Sequence, residues 1–179
     1  TSVSLVPRET KGKDIELRFY FDGKANMAFQ LKMLKFFQQI QKDFPFLKEN
    51  GLLIHSTNSF PHSSGIASSA SAMSALSMCL CDLDQQLSER KLSPEKMLQR
   101  SSFFARLGSG SAARSVYPYI AEWGKAGFVK GASDEYAIPY EANIHKTFKT
   151  YQNTILIASS AEKKVSSRVG HSLMKTNPF

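Results

Sequence analysis

Residues 58 to 70, Asn-Ser-Phe-Pro-His-Ser-Ser-Gly-Ile-Ala-Ser-Ser-Ala, hold residue types that can grip an anion. Gly65 lets the backbone come close to a ligand, and Ser68 and Ser69 offer hydroxyls where an apolar helix begins. A helix start carries N–H groups without intrahelical partners and a partial positive charge, so it attracts anions. The chemistry that suits this stretch is phosphate binding. Ordinary helix capping by Ser68 or Ser69 would explain the same residues, and both explanations stay open here. The stretch is not the nucleotide loop ending in Gly-Lys-Ser/Thr, and no Gly-x-Gly-x-x-Gly occurs in the chain.

A second stretch, residues 105 to 115, reads Ala-Arg-Leu-Gly-Ser-Gly-Ser-Ala-Ala-Arg-Ser. Ser109 and Ser111 add hydroxyl donors, and Arg114 lies three residues past Ser111, so on a helical turn they share a face. A guanidinium there can hold a carboxylate or a phosphate through paired hydrogen bonds. A flexible Gly/Ser connector is the alternative, weakened by the helical pattern that precedes it. Near the end of the chain, Ser166 and Ser167 are placed to cap a helix carrying Val169, Leu173 and Met174, which on its own is a capped helix with solvated lysines. Two carboxylates stand near these stretches in sequence. Glu122 precedes Trp123 and Asp134 sits in a Gly-rich region, and neither context marks a general base.

These residues need elements to position them. Residues 2 to 6 alternate weakly and meet Pro7, as a strand ending in a turn would, and Thr10 to Asp14 read as a hairpin loop. Ile15, Leu17, Phe19 and Phe21 alternate with polar neighbours, which predicts a half-buried strand ended by Asp22-Gly23. Residues 26 to 43 predict an amphipathic helix stopped by Pro45. Asn50-Gly51 turns the chain into a buried strand at Leu52–Ile54, and the helix after the phosphate loop runs to about Leu83. Asp84 to Leu92 reads as a polar connection, and Ser93-Pro94 opens a helix to about Phe104. Pro118 keeps residues 116 to 123 out of a central strand, 124 to 136 form a surface hairpin region, and Tyr136–Pro139 is a short strand. Residues 143 to 152 read as an irregular turn and Thr154–Ala158 as a strand.

At 179 residues, with 42% hydrophobic and 21% charged side chains, the chain can bury a core as a globular protein. No apolar run reaches the roughly 18 residues of a membrane span. Thr-Ser-Val-Ser-Leu-Val at the start lacks the features of a signal peptide. Cys79 and Cys81 point to different sides of one helix, so neither a disulfide nor a metal pair is expected, and buried free thiols suit a reducing cytosol. The net charge of +8 fits a phosphorylated small substrate or nucleic acid, while most individual lysines read as a basic solvated surface. The lysines and arginines are dispersed and not interleaved with aromatics on one strand face, which weighs against nucleic acid.

Pro-x-x-x-Gly-Ile-Ala-Ser-Ser-Ala at 61 to 70 resembles the phosphate-binding motif of the galactokinase, homoserine kinase, mevalonate kinase and phosphomevalonate kinase (GHMP kinase) superfamily. The fuller string from Asn58 resembles one branch, the diphosphomevalonate decarboxylases, and Arg106 to Ser115 is similar to that branch's Arg-x-Gly-Ser-Gly-Ser-Ala-Cys-Arg-Ser. Ala113 stands at the Cys position, and Pro118-Tyr119 stand where the branch has Gly-Gly.

The resemblance implies an α+β fold, a GHMP-kinase-like N-terminal domain of the ribosomal-protein-like type over residues 1–152, with a mixed or antiparallel sheet packed with helices. A second domain would begin at 153–179. It implies ATP-dependent decarboxylation of mevalonate 5-diphosphate to isopentenyl diphosphate, with ATP and Mg2+ as cofactors, in a cytoplasmic homodimer that binds neither nucleic acid nor membrane. Gly65, Ser68, Ser69 and Ser109 would hold ATP phosphates, Ser111 and Arg114 the substrate, and Ser167 and Arg168 its diphosphate. Arg114 would also be catalytic by orienting the carboxylate that leaves. The branch's Lys-bearing upstream segment and its Asp-Ala-Gly-Pro-like segment are not in this sequence, so a partial, inactive piece of the enzyme is expected. The runner-up functions are a sibling kinase acting on mevalonate or phosphomevalonate and a basic nucleic-acid-binding domain.

Overall fold

Alternating side chains build the central sheet. In the computed structural model, which describes residues 1–60, 66–89, 91–141, 144–156, 170 and 174, four strands pair in the order β1-β4-β2-β3. They are β1 (Ser2–Val6), β2 (Glu16–Phe21), β3 (Lys24–Ala25) and β4 (Gly51–Ser56). Leu17 and Phe19 of β2 and Leu52 and Ile54 of β4 are buried, while Arg18 and His55 are exposed, as the two-residue period requires. β4 runs antiparallel to β1 and parallel to β2. Asp22 and Gly23, at φ 49° and 76°, make the left-handed two-residue turn into β3 that a tight hairpin demands.

The expected hairpin through Thr10–Asp14 is not formed, because β4 lies between β1 and β2. The connection is instead held by two side chains. Arg8 donates to the carbonyls of Lys48 (2.6 Å), Gly12 and Asp14 (both 2.8 Å), and Glu16 accepts from the backbone N–H groups of Glu9 and Thr10. Those N–H donors, led by that of Glu9, hold the Glu16 carboxyl below its usual pKa.

Helix α1 (Met27–Ile40) is capped by Asn26 and buries Met33, Phe36, Phe37 and Ile40. A short α2 (Phe46–Glu49) follows Pro45. Helix α3 (Ser68–Leu87) extends a turn beyond the expected Leu83, so Asp84 is not part of a polar connection. Its carboxylate is nearly buried and pairs with Arg100 of α4 (Pro94–Gly108) at 2.6 Å. The Arg100 guanidinium in turn lies over the Phe44 ring at 4.9 Å. A polar residue was legible at 84, but its partner sixteen residues on was not.

Ser93 caps α4 as expected, accepting from Lys96 N, and α4 runs on to Gly108, past the expected Phe104. A 3-10 segment, Gly110–Val116, then leads to a separate two-stranded sheet of β5 (Ala121–Trp123) and β6 (Ala137–Pro139). Residues 146 to 150 form a second 3-10 turn. Thr154–Leu156 are exposed and lie in no strand, and the rest of that expected strand is outside the described residues. Burial pushes the Cys81 thiol up to about 11, and both cysteines are free. No described helix is long and apolar enough to cross a membrane.

Candidate functional site

The two Ser/Gly stretches meet where α3 starts and α4 ends. Ser69 Oγ lies 3.5 Å from Ser109 Oγ, although forty residues separate them in sequence. This contact requires α3 and α4 to approach closely, and Gly108 permits it. A Cβ on Gly108 would sit 2.0 Å from Met73 Cε and 3.1 Å from Met73 Cγ, so only glycine fits without displacing the Met73 side chain or α3.

Helix α3 begins without a side-chain cap. Neither Ser68 nor Ser69 takes that position, contrary to the capping alternative; Ala67 does, in the left-handed region at φ 52°, ψ 37°. That conformation costs a non-glycine residue roughly 1–2 kcal/mol. Ser68 and Ser69 therefore stand in the first turn with hydroxyls free of a capping duty, Ser69 exposed to solvent. An uncapped helix start flanked by hydroxyls can receive phosphate oxygens, so the donor set fits the phosphates of a nucleotide.

Ser111 and Arg114 lie on the 3-10 segment, where side chains three apart eclipse one another, so the shared face expected from spacing is realised. Arg114 is exposed and Ser111 half-buried. Between them Ala112 and Ala113 are fully buried, which is why a small residue serves at 113. Gly65, Ser167 and Arg168 lie outside the described residues.

Three supporting side chains were not singled out from sequence. Trp123 packs over the backbone at Gly110, where a Cβ would come to 3.2 Å of Cη2, and its indole N–H donates to the Asp134 carbonyl at 3.0 Å. Ser102 bonds two backbone groups in the interior, and Arg106 donates to the Glu135 carbonyl at 2.8 Å. Arg106 opens the Arg-x-Gly-Ser string without showing its partner, Gly110 and Trp123 put a glycine and a large ring in one neighbourhood, and Ser102 left no signal. Asp134 accepts from Lys125 N at 2.9 Å and anchors the β5–β6 hairpin, and Glu122 is half-buried in β5. Among the described residues no three His, Cys, Asp or Glu side chains gather. A Mg2+ ion here would be held chiefly by phosphate oxygens and water.

The diphosphomevalonate decarboxylase-like N-terminal domain family matches residues 8–137. The chain is 35% identical over 133 residues to the diphosphomevalonate decarboxylase of Gibberella zeae, covering 74% of this chain and 32% of that protein. It is 32% identical over 125 residues to the Schizosaccharomyces pombe diphosphomevalonate decarboxylase, covering 69% and 29%. The chain thus matches about a third of the length of these relatives. Among solved structures, the mevalonate diphosphate decarboxylase from Legionella pneumophila superposes with a TM-score of 0.66 at 28% identity, over 99% of this chain and 51% of that one. The Staphylococcus aureus mevalonate diphosphate decarboxylase gives 0.56 at 32% identity, over 79% and 38%.

Proposed function

This chain belongs to the diphosphomevalonate decarboxylase-like family, and on that premise we propose that the protein carrying it decarboxylates mevalonate 5-diphosphate with ATP, giving isopentenyl diphosphate. The observation that carries the proposal is the 3.5 Å approach of Ser69 and Ser109, which joins a phosphate-gripping helix start to the segment bearing Ser111 and Arg114.

ATP supplies the phosphoryl group that makes the substrate's tertiary 3-hydroxyl a leaving group. The chain's own residues bind and orient. The first turn of α3, with Ser68 and Ser69, and Ser109 beside them, holds ATP phosphates by backbone and hydroxyl donors, and Gly65 allows the backbone to approach them. Ser111 donates to the substrate, and Arg114 grips its carboxylate through paired hydrogen bonds. Holding the carboxylate so that its C–C bond aligns with the departing C–O bond lets the bonding pair become the new double bond as carbon dioxide and phosphate leave. Ser167 and Arg168 complete the diphosphate contacts, and Mg2+ accompanies the ATP phosphates. Residues 1–152 would form the N-terminal domain and 153–179 the start of a second, in a cytoplasmic homodimer.

The test is an assay on the full-length gene product with ATP and mevalonate 5-diphosphate. Equal release of ADP, inorganic phosphate and carbon dioxide is expected. Phosphorylation of mevalonate or its monophosphate without carbon dioxide would replace this function with that of a sibling kinase.

A further inference from the structure

Ser101 and Ser102 are neighbours on α4, and both are fully buried. Their hydroxyls differ sharply in use. Among the described residues, Ser101 Oγ bonds no backbone group of another element and faces only the Cys81 thiol of α3. Ser102 Oγ accepts from the Ala137 backbone N–H at 2.8 Å, which commits its own proton to the Ala113 carbonyl, also at 2.8 Å. Ala113 and Ala137 are fully buried as well, so water cannot substitute for either bond. One hydroxyl thus ties together α4, β6 and the 3-10 segment. The carbonyl that it holds belongs to the peptide unit that leads directly into Arg114.

We infer that Ser102 is a positioning residue: its hydroxyl sets the orientation of the 3-10 segment and so the direction in which Ser111 and Arg114 point. The segment is short, and 3-10 hydrogen bonds are poorer in geometry than those of an α-helix, so it cannot fix its own orientation. Trp123 bears on its first residue, Gly110, and Ser102 fixes it at Ala113, one residue before the guanidinium. A fork that recognises a carboxylate through two parallel hydrogen bonds loses its function on small rotations, so the pin matters more here than beneath a solvated surface turn. The catalytic consequence rests on the proposed decarboxylase function; the pin itself does not.

The test compares Ser102→Ala, Ser102→Cys and Ser101→Ala in the full-length protein, by hydrogen exchange of the peptide spanning residues 109–117 and by steady-state kinetics. Ser102→Ala should speed exchange in 109–117 at least tenfold and lower kcat at least tenfold, with KM for ATP within about twofold. Ser102→Cys, which keeps a weaker polar group of similar size, should fall between it and the wild type. Ser101→Ala, removing a buried hydroxyl that makes no bond to the 3-10 segment, should change neither quantity more than twofold. Unchanged exchange in a folded Ser102→Ala protein, or wild-type kcat alongside altered exchange, overturns the inference. If Ser102→Ala does not fold, the same criteria apply to Ser102→Cys. A wild-type protein that releases no carbon dioxide would sink the proposed function instead, and the exchange comparison would still decide whether Ser102 orients the segment.

Discussion

Arg114 combines two properties that seldom serve stability: it is exposed, and its neighbours Ala112 and Ala113 do the packing. Arg114→Ala should therefore shift stability by no more than about 0.5 kcal/mol. Turnover of mevalonate 5-diphosphate should fall by roughly a thousandfold or more, the scale of losing a preorganised charged contact to the reacting group. Thermal melting and a single-turnover assay check the two halves separately, and near-normal turnover would remove Arg114 from the machinery. Tyr119 makes the opposite case. It is wholly exposed and holds φ 60°, a region glycine enters freely. Tyr119→Gly should stabilise the protein by about 1 kcal/mol by relieving that backbone, read as a raised denaturation midpoint with an unchanged slope. A lower midpoint would mean that the greater unfolded-state entropy of glycine outweighs the strain relieved. Serines, glycines and one arginine at fixed spacing were enough to mark the residues proposed to meet ligands, because such groups act through types and short-range geometry. The roles of Ser102 and Trp123 were not visible, because their bonds reach Ala113, Ala137 and Asp134 across the fold.

Between elements, the pairing of α3 with α4 governs the site, and its tightest point is Gly108. Gly108→Ala places a methyl group against Met73, which is itself nearly buried, so the side chain must be displaced or the helices must part. The expected cost is about 1–3 kcal/mol. Pairing it with Met73→Ala should recover part of that loss, since the two positions share one volume. Recovery of stability together with substrate turnover would show that the helix separation, and not glycine flexibility, is what the site needs. Failure of the double variant to recover anything would refute the steric account. The crossover between β1 and β2 answers to pH. Glu16 has its pKa lowered in the fold, so the loop's clasp is complete above the carboxylate's unfolded value, about 4.3, and is lost as pH falls through the lower, folded value. Hydrogen exchange of residues 8–14 should accelerate in that acid window, and Glu16→Gln should show the faster exchange already at pH 7. Most helices and strands were legible in the sequence because their periods are local. The misplaced hairpin and the short α3 share one cause: strand order and the Asp84–Arg100 pair are set by contacts that no window of neighbouring residues contains.

At the scale of the molecule, the +8 charge was the property that left two kinds of partner open, and salt separates them. A protein recruiting a small anion feels a long-range field, whose reach shrinks from about 30 Å at 0.01 M to about 8 Å at 0.15 M ionic strength. The association rate of mevalonate 5-diphosphate with the full-length protein should then drop several-fold over that range. The rate of the bound complex should stay nearly constant, because the contacts proposed for Arg114 and the α3 start act within hydrogen-bonding distance and would be screened little. A nucleic-acid binder behaves differently: each phosphate neutralised releases counterions, and six to ten such contacts cost about 10³–10⁵ in affinity between 50 and 200 mM salt. Stopped-flow association with the diphosphate, set beside titration with a single-stranded oligonucleotide, distinguishes the two. A shallow salt dependence for the diphosphate and weak oligonucleotide binding at every salt concentration assign the positive charge to substrate capture. A steep slope with the oligonucleotide would assign it to a polyanion, and the Ser69–Ser109 junction would then need a different ligand.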